Sequence, residues 1–240
     1  MAKKLRLDKV LSNVGHGSRA EIKRYCKYGM ISVNGTIINN PSIQVDPEND
    51  EIIFDGETVN YREFVYIMLN KPDGYISATF DKYDPIVLDL IDPMYFAFEP
   101  FPVGRLDKDT EGLLVLTNDG KLSHRVLSPK KHVPKTYYAK VSGIVTEGDI
   151  DAFEKGVVLD DGYKTMPAQL NILKSGEVSE IELTIHEGKF HQVKRMFESV
   201  GKKVVYLKRL SMGKLKLDET LALGEYRELT EDEVKLIEER

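Results

Sequence analysis

What this sequence lacks narrows it first. A single cysteine among 240 residues, Cys26, excludes an intramolecular disulfide and any metal site built from several thiolates. It lies in "KRYCKYG" with no histidine beside it in sequence, so the thiol reads as a small packing residue rather than a nucleophile. No apolar run approaches the roughly 18 residues that a membrane span requires. The start, "MAKKLRLDKV", has no apolar stretch of the secretory kind, so a soluble, cytoplasmic chain with no membrane partner is expected. Neither Gly-x-Gly-x-x-Gly nor a phosphate-loop pattern occurs, which argues against dinucleotide and triphosphate chemistry. Internal repeats and low-complexity tracts are absent as well, and His16, His124 and His132 have no neighbour at metal-ligand spacing.

What is present supports real cores: 41% of residues are apolar and 9% aromatic, enough for one large domain or two smaller ones. The net charge of −5 taken alone disfavours nucleic acid, but the charges are segregated. Residues 1–30 hold eight Lys or Arg against two acids, residues 121–135 hold five against none, and residues 189–209 hold seven against Glu198 alone. The acids gather at 46–57 and from Asp218 onward. Each basic run could be a solvated face, yet three together predict local positive surface that a phosphate backbone would meet.

Ser18 and Glu21 stand in capping-box spacing before "RAEIKRYCKY", and Gly29 is a natural terminator, so a basic helix is predicted over 19–28. "LRLDKVLSNVG" predicts another helix before it. "ISVNGTII" and "DEIIFDGETV" each place a two-residue turn signal, Asn34-Gly35 and Asp55-Gly56, between short apolar segments, as in tight hairpins. Beyond "NYREF", segments with strand character ("FVYIMLN", "LLVLT", "KTYYAKV", "QLNIL", "EIELTI", "KVVYL") outnumber helical ones ("KLSHRVL", "EGDIDAFEKG", "KFHQVKRMFESV", "EDEVKLIEE"). That pattern predicts an α+β chain: a small helix-pair and hairpin domain over residues 1–60, then a domain over 61–240 built on a largely antiparallel, mixed sheet with flanking helices. The segment "LRLDKVLSNVGHGSRAEIKRYCKYGMISVNG" resembles the S-four-type RNA-binding domain. That resemblance implies that Arg19, Lys23 and Arg24 of the basic helix face RNA.

Two stretches invite a metal. "GRLDKDTEGLLVLTNDG", residues 104–120, begins like a calcium loop, with Asp107, Asp109, Glu111 and Gly112 in the right places. It fails downstream, where Asn118 replaces the bidentate Glu and Val115 fills the ninth place, and the prolines of "FEPFPV" forbid an entering helix. What remains is a turn carrying three acids into the apolar strand "LLVLT". "HEGKFH", residues 186–191, looks like a zinc-protease motif, but His186 and His191 are five apart and would point about 140° away from each other on a helix. No metal site is predicted.

Read together and in order, "GRLDKDTEGLLVLTNDG", "KTYYAKV", "EGKFHQVKRMFESVG" and "VVYLKRLSMGKLKL" resemble the pseudouridine synthases, most closely the subfamily that modifies small-subunit ribosomal RNA. The likeness runs over essentially the whole chain. It implies isomerisation of a uridine in 16S ribosomal RNA, of the type acting on uridine 516, with the RNA or an assembling small subunit as partner. A target in 23S ribosomal RNA and a non-catalytic assembly factor are the alternatives. The reaction breaks a glycosidic bond, turns the uracil and rejoins it through carbon 5; nothing is oxidised or reduced and no group is imported, so no cofactor is expected. The resemblance gives Asp107 the working carboxylate, as nucleophile at ribose carbon 1′ or base at carbon 2′, and leaves Asp109 and Glu111 as turn acids in solvent. It gives Tyr137 the stack against the flipped uracil, which strand alternation would place on one face with Ala139 and Val141. Lys194 takes the place of an arginine that pairs with the aspartate in many relatives, keeping the charge and losing the fork. Arg105 is expected to fill the space of the flipped base or hold a flanking phosphate, and Leu207 to pack under the ring.

Overall fold

The first helices start and stop where their side chains dictate. In the computed structural model, which describes residues 4–239, Ser18 and Glu21 form the capping box and Gly29 turns the chain at φ 71°. Lys3 of the N-terminal basic run and Arg240 lie outside the described residues. The chain divides into two units, one reaching to Val65 and taking in Asp92–Pro100, the other formed by Tyr66–Ile91 and the chain from Phe101 on.

The first unit comprises β1 (Leu5–Arg6), α1 (Leu7–Asn13), α2 (Arg19–Lys27), β2 (Ile31–Val33), β3 (Thr36–Ile37), β4 (Gln44–Val45), β5 (Ile52–Phe54) and β6 (Glu57–Thr58). Its strands pair in the order β3-β2-β5-β6, and β1 pairs with β4. Both hairpin turns use left-handed residues, Asn34 at φ 52° with Gly35 at 76° and Asp55 at 51° with Gly56 at 86°, which Asn-Gly and Asp-Gly tolerate best. Leu7, Val10, Leu11, Ile22, Cys26 and Ile31 are sealed in its core. Burial pushes the Cys26 thiol pKa up, which keeps it inert. The segment 92–100, which the sequence placed with the second domain, adds a 3-10 turn whose Tyr95 and Phe98 are buried in this unit.

The second unit contains β7 (Tyr66–Lys71), β8 (Phe101–Pro102), β9 (Glu111–Thr117), α3 (Gly120–Leu127), β10 (Lys135–Ser142), α4 (Glu147–Lys155), β11 (Gln169–Lys174), β12 (Val178–Ile185), α5 (Gln192–Ser199), β13 (Lys203–Met212), β14 (Leu215–Lys216), β15 (Tyr226–Glu228) and α6 (Glu231–Leu236). The main sheet runs β11-β12-β10-β13-β9-β7-β15, and β8 and β14 attach to β9 and β13. Every pairing along it is antiparallel except β13 with β9, which align parallel through Lys208–Glu111 and Arg209–Gly112. At that join the strands approach so closely that a Cβ on Gly112 would stand 2.3 Å from the Arg209 carbonyl oxygen, and Gly112 holds φ 99°. Only glycine satisfies both demands.

Helix α5 begins three residues later than the sequence predicts. His191 sits in the left-handed region at φ 47° and ends the preceding turn, so Lys189 and Phe190 belong to a loop and the helix opens at Gln192. Phe190 is 76% exposed, and it is Val193, Met196 and Phe197 that form the buried stripe, with Phe197 edge-on to Phe153 at 5.0 Å.

Candidate active site

The loop between β8 and β9 is fixed at both ends. Ser77 Oγ donates to the Leu106 carbonyl (2.9 Å) and accepts from the Leu106 amide (3.0 Å), locking the residue before Asp107. On the other side the fully buried Lys71 spends its ammonium on three carbonyls, those of Pro72 (3.0 Å), Lys108 (3.1 Å) and Thr110 (2.9 Å). Burial drives the Lys71 pKa down to about 8 against the pull of Asp73, Asp109, Asp107 and Glu111. Carbonyl oxygens aimed inward need donors, and Lys71 supplies them.

Asp107, thus held, faces a cavity of about 1010 Å³ also lined by Arg105, Tyr137, Lys194 and Leu207. Every residue that the sequence proposed for the catalytic pocket therefore borders one cavity. Lys194 Nζ, carried by α5, lies 3.0 Å from Asp107 Oδ2 and 2.6 Å from Asp109 Oδ1. Burial works against its charge, but the hydrogen bonds to Asp109 and Asp107 outweigh it and raise its pKa. Asp109 is thus bonded to Lys194, although two-thirds of its side chain meets solvent. Its own pKa is lowered: partial burial opposes this, and the Lys194 bond and charge prevail. Glu111 also departs from the expectation of a free turn acid, accepting from the Tyr206 hydroxyl at 2.6 Å and, with burial as the larger cause, pushing that phenol's pKa up. The two differences have separate causes: α5 brings Lys194 to Asp109 in the turn, and Glu111, the first residue of β9, meets Tyr206 across the join with β13.

Strand parity arranges the opposite wall. Tyr137 on β10 pairs across with Arg209 on β13, and Ala139 with Leu207, so Tyr137, Arg209 and Leu207 share one face. Tyr138 points the other way and donates to Glu180 at 2.7 Å. Tyr137 is 8% exposed and Leu207 5%, a flat ring and a branched alkyl chain suited to hold a planar apolar face. Arg105 is exposed at the rim. In the other unit, Arg19, Lys23 and Arg24 are all exposed on α2 and belong to no part of this cavity.

Several lining residues were not read from the sequence. His191 Nε2 stands 3.6 Å from Asp107 Oδ1, and its ring is stacked on Phe190 with centroids 3.8 Å apart. Arg209 is 2% exposed, donates from Nε to the Leu113 carbonyl (2.7 Å), and leaves Nη2 without a partner among the described residues. Lys135, also buried, donates to the Val133 carbonyl (2.9 Å), and burial, with Arg209 adding, lowers its pKa to about 8. A buried network supports the start of α5: Glu187 accepts from Gln192 Nε2 (2.9 Å), the Met166 amide (2.8 Å) and the Tyr163 hydroxyl (2.6 Å), and Gln192 Oε1 accepts from the Lys189 amide (2.8 Å). This arrangement can hold a planar ring against Tyr137 and Leu207, with a carboxylate and its counter-ion at one edge and two buried cations in the wall.

Comparison with known proteins gives the family. The model of the RNA pseudouridylate synthases matches residues 65–199, and the S4 domain matches residues 5–52. The chain belongs to the RNA pseudouridine synthase family. It is 53% identical over 98% of its length to an uncharacterised RNA pseudouridine synthase of Bacillus subtilis, YtzG, covering 99% of that protein. It is 40% identical over 96% of its length to ribosomal small subunit pseudouridine synthase A of Escherichia coli K12, covering 98% of it. A crystal structure of a pseudouridylate synthase aligns over 97% of this chain and 99% of that one, with TM-score 0.68 and 39% identity. The family is an isomerase family acting on RNA, so the cavity around Asp107 belongs to a chain that is an RNA pseudouridine synthase. Among the described residues no helix is long and apolar enough to cross a membrane.

Proposed function

We propose that this protein converts one uridine of 16S ribosomal RNA to pseudouridine, acting in the cytoplasm on the RNA or an assembling small subunit. The observation that carries it is the Asp107–Lys194 pair at 3.0 Å in a cavity walled by Tyr137 and Leu207. The E. coli relative named for the small subunit, 40% identical over nearly the full chain, directs the reading to 16S RNA; uridine 516 is the target that the resemblance implies.

In this reading the uridine leaves its stack and enters the cavity with its ring against Tyr137 and Leu207. Asp107 acts at the ribose, at carbon 1′ as nucleophile or at carbon 2′ as base, and Lys194 stays beside it as counter-ion. When the bond from carbon 1′ to N1 breaks, its electron pair goes to the uracil, and the buried positive charge of Arg209 and Lys135 favours that anion while the ring turns. Carbon 5 then bonds to carbon 1′, displacing the Asp107 carboxylate if it was the nucleophile, or with the proton returned from Asp107 to carbon 2′ if it was the base; the proton on carbon 5 is lost and N1 gains one, so atoms and charge balance with neither cofactor nor metal. Arg105, at the rim, fills the vacated stack or holds a flanking phosphate. The exposed Arg19, Lys23 and Arg24 grip RNA away from the reacting base.

Mapping pseudouridines in ribosomal RNA from cells with and without the gene tests the reading. Loss of one pseudouridine in 16S RNA is expected, restored by the wild-type gene. Loss confined to 23S RNA would move the target to the large subunit, and an unchanged map in both would refute the proposal.

A further inference from the structure

Phe80 and Tyr83 stand almost bare, 80% and 84% exposed, in the segment "SATFDKYDPI" at 77–86. Burying a large apolar side chain is favourable, so two uncovered rings this close together are a departure that packing does not explain. The backbone beneath them is well held. Asp81 Oδ1 accepts from the amides of Tyr83 (2.8 Å) and Asp84 (2.9 Å), fixing the tip, while Ile76 N to Pro85 O (3.0 Å) and Val87 N to Ile76 O (3.1 Å) close the neck. The loop is bolted to the catalytic loop at two points, through the Ser77–Leu106 bonds and through Lys108 Nζ to Asp84 Oδ1 at 2.6 Å. Ile76, Ser77 and Lys108 line the cavity that Asp107 faces, so the two rings are tied to its mouth through a few residues.

We propose that Phe80 and Tyr83 are a base-stacking platform for the nucleotides flanking the flipped uridine. The proposal rests on the reading that this site takes a uridine out of an RNA strand. Flipping costs stacking on both neighbours, and an aromatic face next to the pocket returns part of it. The charge around the rings is balanced, Asp81 and Asp84 against Lys82 and Lys108, so it does not keep RNA away. The Asp81 carboxylate is occupied by backbone amides, Asp84 is neutralised by Lys108, and Lys82, with Nζ 5.2 Å from the centre of the Tyr83 ring, supplies a cation where a phosphate would pass. Phe80 has no donor or acceptor to read a base edge and Tyr83 has only its hydroxyl, so the platform tolerates sequence and sets the register of the strand over Asp107. Stacking rigidly beside the pocket converts an unstacked neighbour into a positioning contact.

Both side chains are exposed, so their replacement leaves the fold intact. In the full-length Asp107→Asn chain, a fragment of small-subunit RNA with 2-aminopurine at each position next to the target uridine should show quenched fluorescence at one or two of them. That quenching should disappear in Phe80→Ala and Tyr83→Ala made on the same background. In the active chain each alanine should raise KM about tenfold and change kcat less than threefold; Phe80→Trp should restore KM, and Phe80→Leu should not. Unchanged quenching and unchanged KM in both alanine variants would overturn the platform. So would sedimentation showing that the rings instead join two copies of the chain, with KM unaffected when they are removed. The binding measurement needs no turnover, so quenching by Asp107→Asn together with no pseudouridine formed by the wild-type chain would refute the isomerisation reading and keep the platform.

Discussion

Lys194 divides one ammonium between two carboxylates of unequal exposure, and this decides what each substitution should do. Asp107 has a side chain 26% exposed and Asp109 one 66% exposed, so the bond to Asp109 is the more screened although it is shorter. Lys194→Met should therefore slow turnover about 100-fold or more while RNA affinity stays within about threefold, because a charge facing the reacting centre acts chiefly in the transition state. Collapse of binding with unchanged turnover would make Lys194 a phosphate contact instead. Asp109→Asn keeps an oxygen acceptor in place and should change turnover by no more than about fivefold; single-turnover rates of the two variants check both statements. At this scale the sequence offers Asp107 as one of three acids, but its partner lies 87 positions away and only a likeness to known proteins joins them. Buried cations are harder to see, since a lysine letter looks the same inside or outside. The signal that could have found two of them is parity: Lys135 alternates in phase with Tyr137 and Ala139, and Arg209 with Leu207.

Among the elements, the parallel join of β9 and β13 brings the catalytic loop to the wall that carries Tyr137, Leu207 and Arg209. Gly112→Ala would drive a methyl group into the Arg209 backbone at a residue already holding positive φ. Backbone cannot swing aside as a side chain can, so the two strands would part. A loss of about 3 kcal/mol in denaturant unfolding is expected, with turnover falling further than stability accounts for at a temperature where the variant is folded. A variant as stable and active as the wild type would show that the join is not what places Asp107. The capped helices and glycine-turned hairpins were legible because their signals are local: Ser18 with Glu21, Asn34-Gly35, Asp55-Gly56. The start of α5 was not, because nothing in "KFHQVKRMFESV" says that His191 adopts a left-handed conformation; the Glu187–Gln192 network around that turn exists only once distant residues have met. The parallel join was equally hidden, pairing residues about 97 positions apart, with a glycine that its partner strand requires as well as its own positive φ.

Across the whole molecule, an acidic chain binds a polyanion only if its cations are placed well. The three basic runs divide accordingly. In the run 189–209, Arg195 is spent on Asp160 and Asp161, Lys202 on Asp149, and Arg209 is buried; in 121–135, Arg125 pairs with Glu238 and Lys135 is buried. Much of what reads as positive surface thus holds the second unit together, because a charge run does not reveal which of its members find acids in the fold. Helix α2 is different: Arg19, Lys23 and Arg24 are exposed, and among the described residues their one ion pair is a 3.9 Å contact from Arg24 to Glu21. Replacing these three with Gln should lower the slope of log affinity for structured small-subunit RNA against log salt by about 2–3, with little change in unfolding temperature. An unchanged slope would withdraw their RNA contact. These contacts and the base-stacking loop concern where the RNA is held; the central claim is that Asp107 isomerises it. The most direct test is a single-turnover assay on 16S ribosomal RNA with wild type and Asp107→Asn, in parallel with binding of each. Wild type should convert one uridine to pseudouridine, and Asp107→Asn should convert none while binding within a few-fold of wild type; appreciable pseudouridine formed by Asp107→Asn would contradict the account.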